Sequence, residues 1–198
     1  MSISLGDRSV IITGAGAGLG RSHALYLAGL GALVVVNDLN GEAAESVVEE
    51  IKTAGGVAIP VIGSVTDDDA IAALVDAAIA EFGYLDVIVN NAGIIRDSPF
   101  HKMPVEHIDL VLDTHLRGAL HLVRAAWPHL RERPAARIIN TASDSGLYGN
   151  FGQANYGAAK MGLVGMGVIP KKCVFGSFFK TRIIMYLVLY KLNQMLLC

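Results

Sequence analysis

Cysteine is scarce: Cys173 and Cys198 are the only two in 198 residues. Two thiols cannot build a disulfide framework, and their separation matches no metal-ligand spacing. A reducing cytoplasm is therefore the expected compartment. Charged residues make up 17% with a net charge of −2, which offers no general attraction to nucleic acid. No apolar run reaches the 18 or so residues of a transmembrane helix, so no membrane partner is expected. The N-terminus lacks the basic and apolar regions of a signal peptide. No Gly-x-Ser-x-Gly elbow supports a hydrolase. His23, His101, His107, His121 and His129 form no metal pair with a carboxylate in a known pattern, so no metal is expected. What is abundant is apolar: 53% of the chain, enough for one domain with a sizeable core.

Order along the chain gives the architecture. Arg8 to Thr13 is a short β-branched run, the pattern of a strand buried on both faces. Gly14-Ala15-Gly16-Ala17-Gly18-Leu19-Gly20 follows, and Arg21 to Leu30 reads as a helix. Glycines allow a tight turn and close approach to a phosphate, while a helix N-terminus favours an anion. A flexible glycine loop is the plainer alternative. The order strand, glycines, helix points instead to a dinucleotide site.

Ala32 to Asn37 is the next strand, with Asp38 at its end. Gly20 and Asp38 lie 18 apart, near the spacing of a ribose-binding acid. Asp38 would accept hydrogen bonds from an adenine ribose and repel a 2′-phosphate by about 4 kcal/mol at 4 Å. That predicts NAD over NADP. The alternative for Asp38 is a cap on the helix starting near Gly41.

Helix over Glu42 to Ala54, strand over Val57 to Ile62, helix over Asp67 to Phe82 and strand over Leu85 to Val89 come next. Asn90-Asn91-Ala92-Gly93 follows, with Arg96 to Pro104 read as loop. One long helix is predicted from about Val105 to Leu130, carrying Asp113, His115 and Gly118. Arg137 to Thr141 is the fifth strand. This alternation predicts an α/β Rossmann-like doubly wound parallel sheet in three α/β/α layers. Ligands in such sheets lie beyond the carboxyl ends of the strands. The Gly14–Gly20 turn, Asp38, Asn91 and Ser143 all fall at those ends.

Tyr156 and Lys160 stand four apart, one turn along a helix face. A cation about 5 Å away is worth roughly 3 kcal/mol at an effective dielectric of 20, which lowers a phenol pKa toward working pH. Ser143 would hold a carbonyl or hydroxyl on which the tyrosine acts. Alone, such a pair is more often a solvated helix face.

Taken together, these motifs resemble the short-chain dehydrogenase/reductase family. Thr13-Gly14-x-x-x-Gly18-x-Gly20, Asn90-Asn91-Ala92-Gly93, Ser143 and Tyr156-x-x-x-Lys160 stand in family order over residues 5 to about 168. The stretches Val34 to Asp38, His115 to Gly118 and Tyr148 to Tyr156 are most similar to the (3R)-hydroxyacyl-CoA dehydrogenase part of peroxisomal multifunctional enzymes and to similar bacterial reductases. The resemblance implies an NAD-dependent oxidoreductase acting on a secondary alcohol or ketone, with a 3-hydroxyacyl-CoA as a candidate. It implies that Tyr156 is the general acid/base, Ser143 positions the substrate oxygen, and Lys160 binds the nicotinamide ribose. Thr13, Gly14, Gly18, Leu19 and Gly20 would hold the pyrophosphate region, and Asn91, Ala92 and Gly93 would lie beside the cofactor. Most members carry asparagine where His115 stands, so His115 is either part of a proton relay through water or a packing residue. Ser64 replaces the aspartate usual near the adenine, where Val65 can still pack. The family also implies a homodimer or homotetramer through the long helix and the tyrosine helix.

The final 30 residues break the pattern. Residues 169–198 contain no Ala, Asp or Glu, yet hold both cysteines and four of the seven lysines. The domain is therefore read as residues 1–168, incomplete, followed by a divergent tail of 169–198. A replaced or frame-shifted terminus is the favoured explanation over family divergence. A truncated dinucleotide-binding module without turnover is the alternative function. The run Ile183 to Tyr190 would add one parallel strand beside the fifth, with the tyrosine helix as crossover; a buried helix is the alternative.

Overall fold

A computed structural model describes residues 4–6 and 8–168, and the backbone of 182–188. Six parallel strands form one sheet in the order β3-β2-β1-β4-β5-β6. They are β1 (Ser9–Thr13), β2 (Leu33–Asp38), β3 (Val57–Ile62), β4 (Val87–Asn90), β5 (Arg137–Ser143) and β6 (Arg182–Val188). The helices are α1 (Gly18–Gly29), α2 (Gly41–Thr53), α3 (Asp68–Phe82), α4 (Val105–Leu112), α5 (Gly118–Leu130), α6 (Asp144–Tyr148) and α7 (Ala154–Val168).

Strand alternation builds two cores. Val10, Ile12, Val34, Val36, Ala58 and Val89 point to one face, against Ala24 and Ala28 of α1 and Val47, Val48 and Ile51 of α2. Ile11, Val35, Ile88 and Ile138 point to the other, against Leu74 and Ala78 of α3 and Leu122 and Ala126 of α5. Consecutive residues of a strand face opposite sides, so each β-branched run serves both layers. The caps agree with local chemistry. Asn40 accepts from Ala43 N to open α2, and Asp67 accepts from Asp69 N and Ala70 N to open α3. Gly83 closes α3 at φ 79°, a left-handed position that favours glycine.

The amino ends of the strands are tied by one carboxylate. Asp86 is fully buried. It accepts from Arg8 Nη1 at 3.0 Å, Arg133 Nε at 2.8 Å and Ser9 N at 3.2 Å. Three charge-assisted donors offset its desolvation. They fix the end of the sheet opposite the one where ligands bind in such folds.

Two sequence expectations need adjustment and a third is met. The long helix is not regular: Asp113–Arg117 forms a π-helical turn between α4 and α5. The segment read wholly as loop contains a short 3-10 turn, Phe100–Lys102. The terminal run does pair with β5 as a parallel strand, with Arg137 opposite Arg182 and Ser143 opposite Val188. Residues 189 and 190 of that run lie outside the described residues.

Candidate functional site

The order of strands reverses at β1, which lies between β2 and β4. A crevice is expected beyond the carboxyl ends at such a point. The glycine turn closes over it. Gly14 and Gly18 take φ 61° and 54°, values that L side chains rarely adopt. Gly20 is buried, and a Cβ there would lie 2.1 Å from Gly14 O. Gly18 and Leu19 are exposed at the start of α1. The turn thus presents backbone at a helix N-terminus.

Neighbouring strands lock the turn. Asn91 Nδ2 donates to Thr13 O at 2.9 Å and Gly14 O at 3.0 Å. Thr13 Oγ1 accepts from Asn91 N and Ala92 N. Asp38 Oδ2 accepts from Gly16 N at 2.8 Å, and Oδ1 accepts from Asn40 N. The helix cap is Asn40, so Asp38 is not that cap and stands at the mouth of the turn. Val65 is buried, with its carbonyl and side chain against Gly118. The half-buried Ser64 is occupied locally, its hydroxyl 2.7 Å from Thr66 Oγ1. Gly93 is exposed and its Cα faces the His115 ring, where a Cβ would clash.

Ser143, Tyr156, Lys160 and His115 come together on the far side of β4. Ser143 ends β5 and is buried. Its hydroxyl donates to Asp144 Oδ1 and accepts from Ser145 N, and it lies near enough to the Tyr156 phenol to lower its pKa. Lys160 Nζ lies 5.5 Å from the centre of the Tyr156 ring. The His115 ring meets Tyr156 edge-on, with centroids 5.2 Å apart. Ser145, the other serine near this end, turns its hydroxyl to Gln153 Oε1, which leaves Ser143 as the serine beside the phenol.

Electrostatics departs from the simple pair picture. Tyr156 is pushed up, not down. Burial is the main cause, Ser143 opposes it, and the carboxylates of Asp144 and Asp97 add to it. Lys160 is pulled down to about 8 by burial, and its Nζ donates to Thr141 O at 2.6 Å. The expected depression of the tyrosine is not seen: burial is the largest influence, and Lys160 is not among the groups that move it. His115 is pulled down to about 4 by burial, then by the charge of Lys160. It is neutral at neutral pH. Its Nε2 meets both the N–H and the carbonyl of Ile94, at 3.0 and 2.8 Å. Nδ1 is buried and has no partner. A small cavity of about 10 Å³ beside it, also lined by Thr13, Asn90 and Ala92, has roughly the room for one water.

Sequence reasoning passed over three contributors. Asn155 Nδ2 donates to Arg96 O and His107 O, which moors the start of α7. Gln153 Nε2 reaches Asp97 Oδ2 at 2.9 Å. Asp144 accepts from Ser143 Oγ at 3.0 Å. Only Asp144 had a local signal, as an acid directly after Ser143.

A glycine turn on β1, an acid ending β2 and small residues after β4, set at the reversal of strand order, define a doubly wound α/β domain of the dinucleotide-binding type. A model described as short chain dehydrogenase matches residues 8–168, and the chain belongs to that family. It is 52% identical over 169 residues to a short-chain type dehydrogenase/reductase of Mycobacterium tuberculosis, covering 81% of this chain and 59% of that protein. It is 52% identical to a peroxisomal hydratase-dehydrogenase-epimerase of Saccharomyces cerevisiae, covering 83% of this chain and 19% of that protein. The crystal structure of a short chain dehydrogenase from Mycobacterium avium is 43% identical with a TM-score of 0.80, covering 84% of this chain and 62% of that one. The chain thus spans less than two thirds of each. Among the described residues, no helix is long and apolar enough to cross a membrane, and no cluster of side chains could hold a metal.

Proposed function

We propose that this protein is an NAD-dependent oxidoreductase that interconverts a secondary alcohol and a ketone, with 3-hydroxyacyl-CoA thioesters as the substrate class. The observation that carries this is the cluster of buried Ser143 and Lys160 with half-buried Tyr156, at the same end of the sheet as the glycine turn. A relative named 3-oxoacyl-[acyl-carrier-protein] reductase supports an acyl substrate. Residues 1–168 form the cofactor-binding unit in this reading, and 169–198 a divergent tail.

The residues present fit a dinucleotide. The Gly14–Gly20 turn offers backbone N–H groups to a pyrophosphate. Asp38 stands where an adenine ribose would lie, and Val65 beside the adenine. Asn91, Ala92 and Gly93 leave room for the second ribose, whose hydroxyls Lys160 would hold. When bound, NAD supplies the hydride acceptor. Tyr156 exchanges a proton with the substrate oxygen, which Ser143 orients. The orphaned Nδ1 of His115 supports a place for it in a proton relay through buried water.

A panel of 3-hydroxyacyl-CoA thioesters and simple secondary alcohols, followed by NADH formation, tests this reading. NADH formation with a thioester is the expected result. Cofactor binding with no turnover on any of them would instead make the chain a dinucleotide-binding module. Asp38→Ala is expected to relax the preference for NAD over NADP by about tenfold or more, since a carboxylate repels a 2′-phosphate. The ratio of the two affinities before and after decides; an unchanged ratio removes Asp38 from the ribose site.

We further propose a cytoplasmic location and a homodimer or homotetramer. Leu110 on α4, Leu120 on α5 and Met161 on α7 are exposed, which supports burial of these helices against a second copy. Sedimentation at micromolar concentration is expected to show no stable monomer.

A further inference from the structure

Ser143 has a second role. It is the N-cap of α6, and its Oγ accepts from Ser145 N at 3.2 Å. α6 has only five residues, too few to stand by helix propensity alone. The direction of the Ser143 hydroxyl therefore depends on what holds α6 in place. Two glycines let α6 and α7 meet backbone to backbone. A Cβ on Gly157 would lie 2.9 Å from Ser145 O, and one on Gly146 would lie 2.9 Å from Met161 N. These are packing contacts. They set how closely the two helices approach and give no direction.

Direction comes from one amide. Gln153 Oε1 accepts from Ser145 Oγ at 2.8 Å and from Asn150 Nδ2 at 3.1 Å. Its Nε2 donates to Asp97 Oδ2 at 2.9 Å. Two donors face the oxygen and a carboxylate faces the nitrogen, so only one orientation of the amide satisfies all three. Gln153 stands directly before α7 and three residues before Tyr156, and its carbonyl accepts from Gly157 N at 2.7 Å. The loop that carries Asp97 is moored on both sides. Asn155 Nδ2 donates to Arg96 O, and Ser98 N donates to Gly152 O.

We propose that Gln153 is a positioning residue: by holding Ser145 on its oxygen and Asp97 on its nitrogen, it fixes α6 and so aims the Ser143 hydroxyl at the substrate oxygen. It acts through Ser145, and no bond to it forms or breaks in the reaction. Without the amide, α6 can turn on its glycine contacts. Ser145 N then moves, and the serine oxygen loses the N–H that orients it. A misplacement of about 1 Å at such a group costs on the order of a hundredfold in rate.

This inference rests on the function proposed above, but one arm of its test needs no turnover. Wild type, Gln153→Leu, Gln153→Glu, Asp97→Asn and the double variant Gln153→Glu with Asp97→Asn are compared as full chains. Gln153→Glu sets two carboxylates against each other. The double variant restores the bond with its roles exchanged. The new amide at position 97 donates to the new carboxylate at position 153, which still accepts from Ser145 and Asn150, and the net charge is that of wild type. Hydrogen exchange at the Ser145 amide, read by NMR without cofactor or substrate, is the first measurement. Exchange is expected to quicken by about fivefold or more in Gln153→Leu and Gln153→Glu. The second measurement is kcat, expected to fall by about tenfold or more in both, with NAD affinity close to its original value. Asp97→Asn keeps an acceptor and is expected to lose less than Gln153→Glu. The double variant is expected to recover both quantities to within about threefold of wild type. Denaturant unfolding checks that each variant is folded, and the isosteric glutamate variants carry the test should the leucine variant fail to fold. Wild-type exchange and kcat in Gln153→Leu would overturn the proposal. A double variant as impaired as Gln153→Glu would also overturn it, since the loss would not stem from this bond. A wild-type chain that turns over no alcohol would sink the oxidoreductase reading, and Ser145 exchange would still decide the role of Gln153.

Discussion

Replacing Tyr156 by Phe is expected to cut turnover by about a hundredfold or more while leaving NAD affinity close to its original value. The substitution removes one oxygen and keeps the ring. The edge contact with His115 and the position over Lys160 are ring contacts, so the surrounding packing survives. The lost oxygen is the group whose pKa Ser143 lowers. Because the proton moves only during reaction, the loss should fall on kcat and spare cofactor binding. NADH formation and NAD titration on the same preparation give both numbers. A Phe variant turning over at the wild-type rate would remove Tyr156 from the chemistry.

Gly20→Ala is the second substitution with a large expected effect. The new methyl would lie 2.1 Å from Gly14 O and 2.5 Å from Asn91 Nδ2. Neither neighbour is free to move. Asn91 Nδ2 already donates to Gly14 O, and Gly14 is itself backed against Ala92 Cα. The strain must spread through the turn, at about 2 kcal/mol or more of stability. NAD affinity is expected to fall at least tenfold, because the backbone meant to approach the pyrophosphate is the part displaced. Denaturant unfolding and NAD titration measure the two effects. An alanine variant matching wild type in both would show that the turn is looser than the structure has it.

The sheet was readable from sequence because its strands are short apolar runs with glycine or asparagine at their ends. Val34-Val35-Val36 can hardly be anything but a strand buried on two faces. Boundaries moved by a residue or two, as at Val87–Asn90 against a reading of Leu85 to Val89. Most of the site was readable as well, since its backbone turns need glycine and its chemistry needs particular side chains at fixed spacings. What escaped depends on contacts between distant segments. The tie between Asp86 and Arg8 spans 78 positions, and that between Gln153 and Asp97 spans 56. The direction of the Tyr156 shift escaped for the same reason. A four-residue spacing reveals that Lys160 is near; it does not reveal how deeply the pair is buried, and burial decides the sign.

The π turn at Asp113–Arg117 bears on which length changes this helix can absorb. Buried positions recur at Val111, His115, Ala119, Leu122, Ala126 and Leu130. Five regular turns would use about 18 residues, and this stretch uses one more. The surplus residue is housed in the wide turn, and α4 and α5 keep their apolar stripes in phase because of it. A one-residue deletion inside that turn would restore a regular helix with both stripes still facing inward. The same event would rotate His115 away from Tyr156. A single lost codon could therefore exchange the side chain that faces the phenol without repacking the sheet, while a deletion anywhere else in the helix would set its two halves at odds.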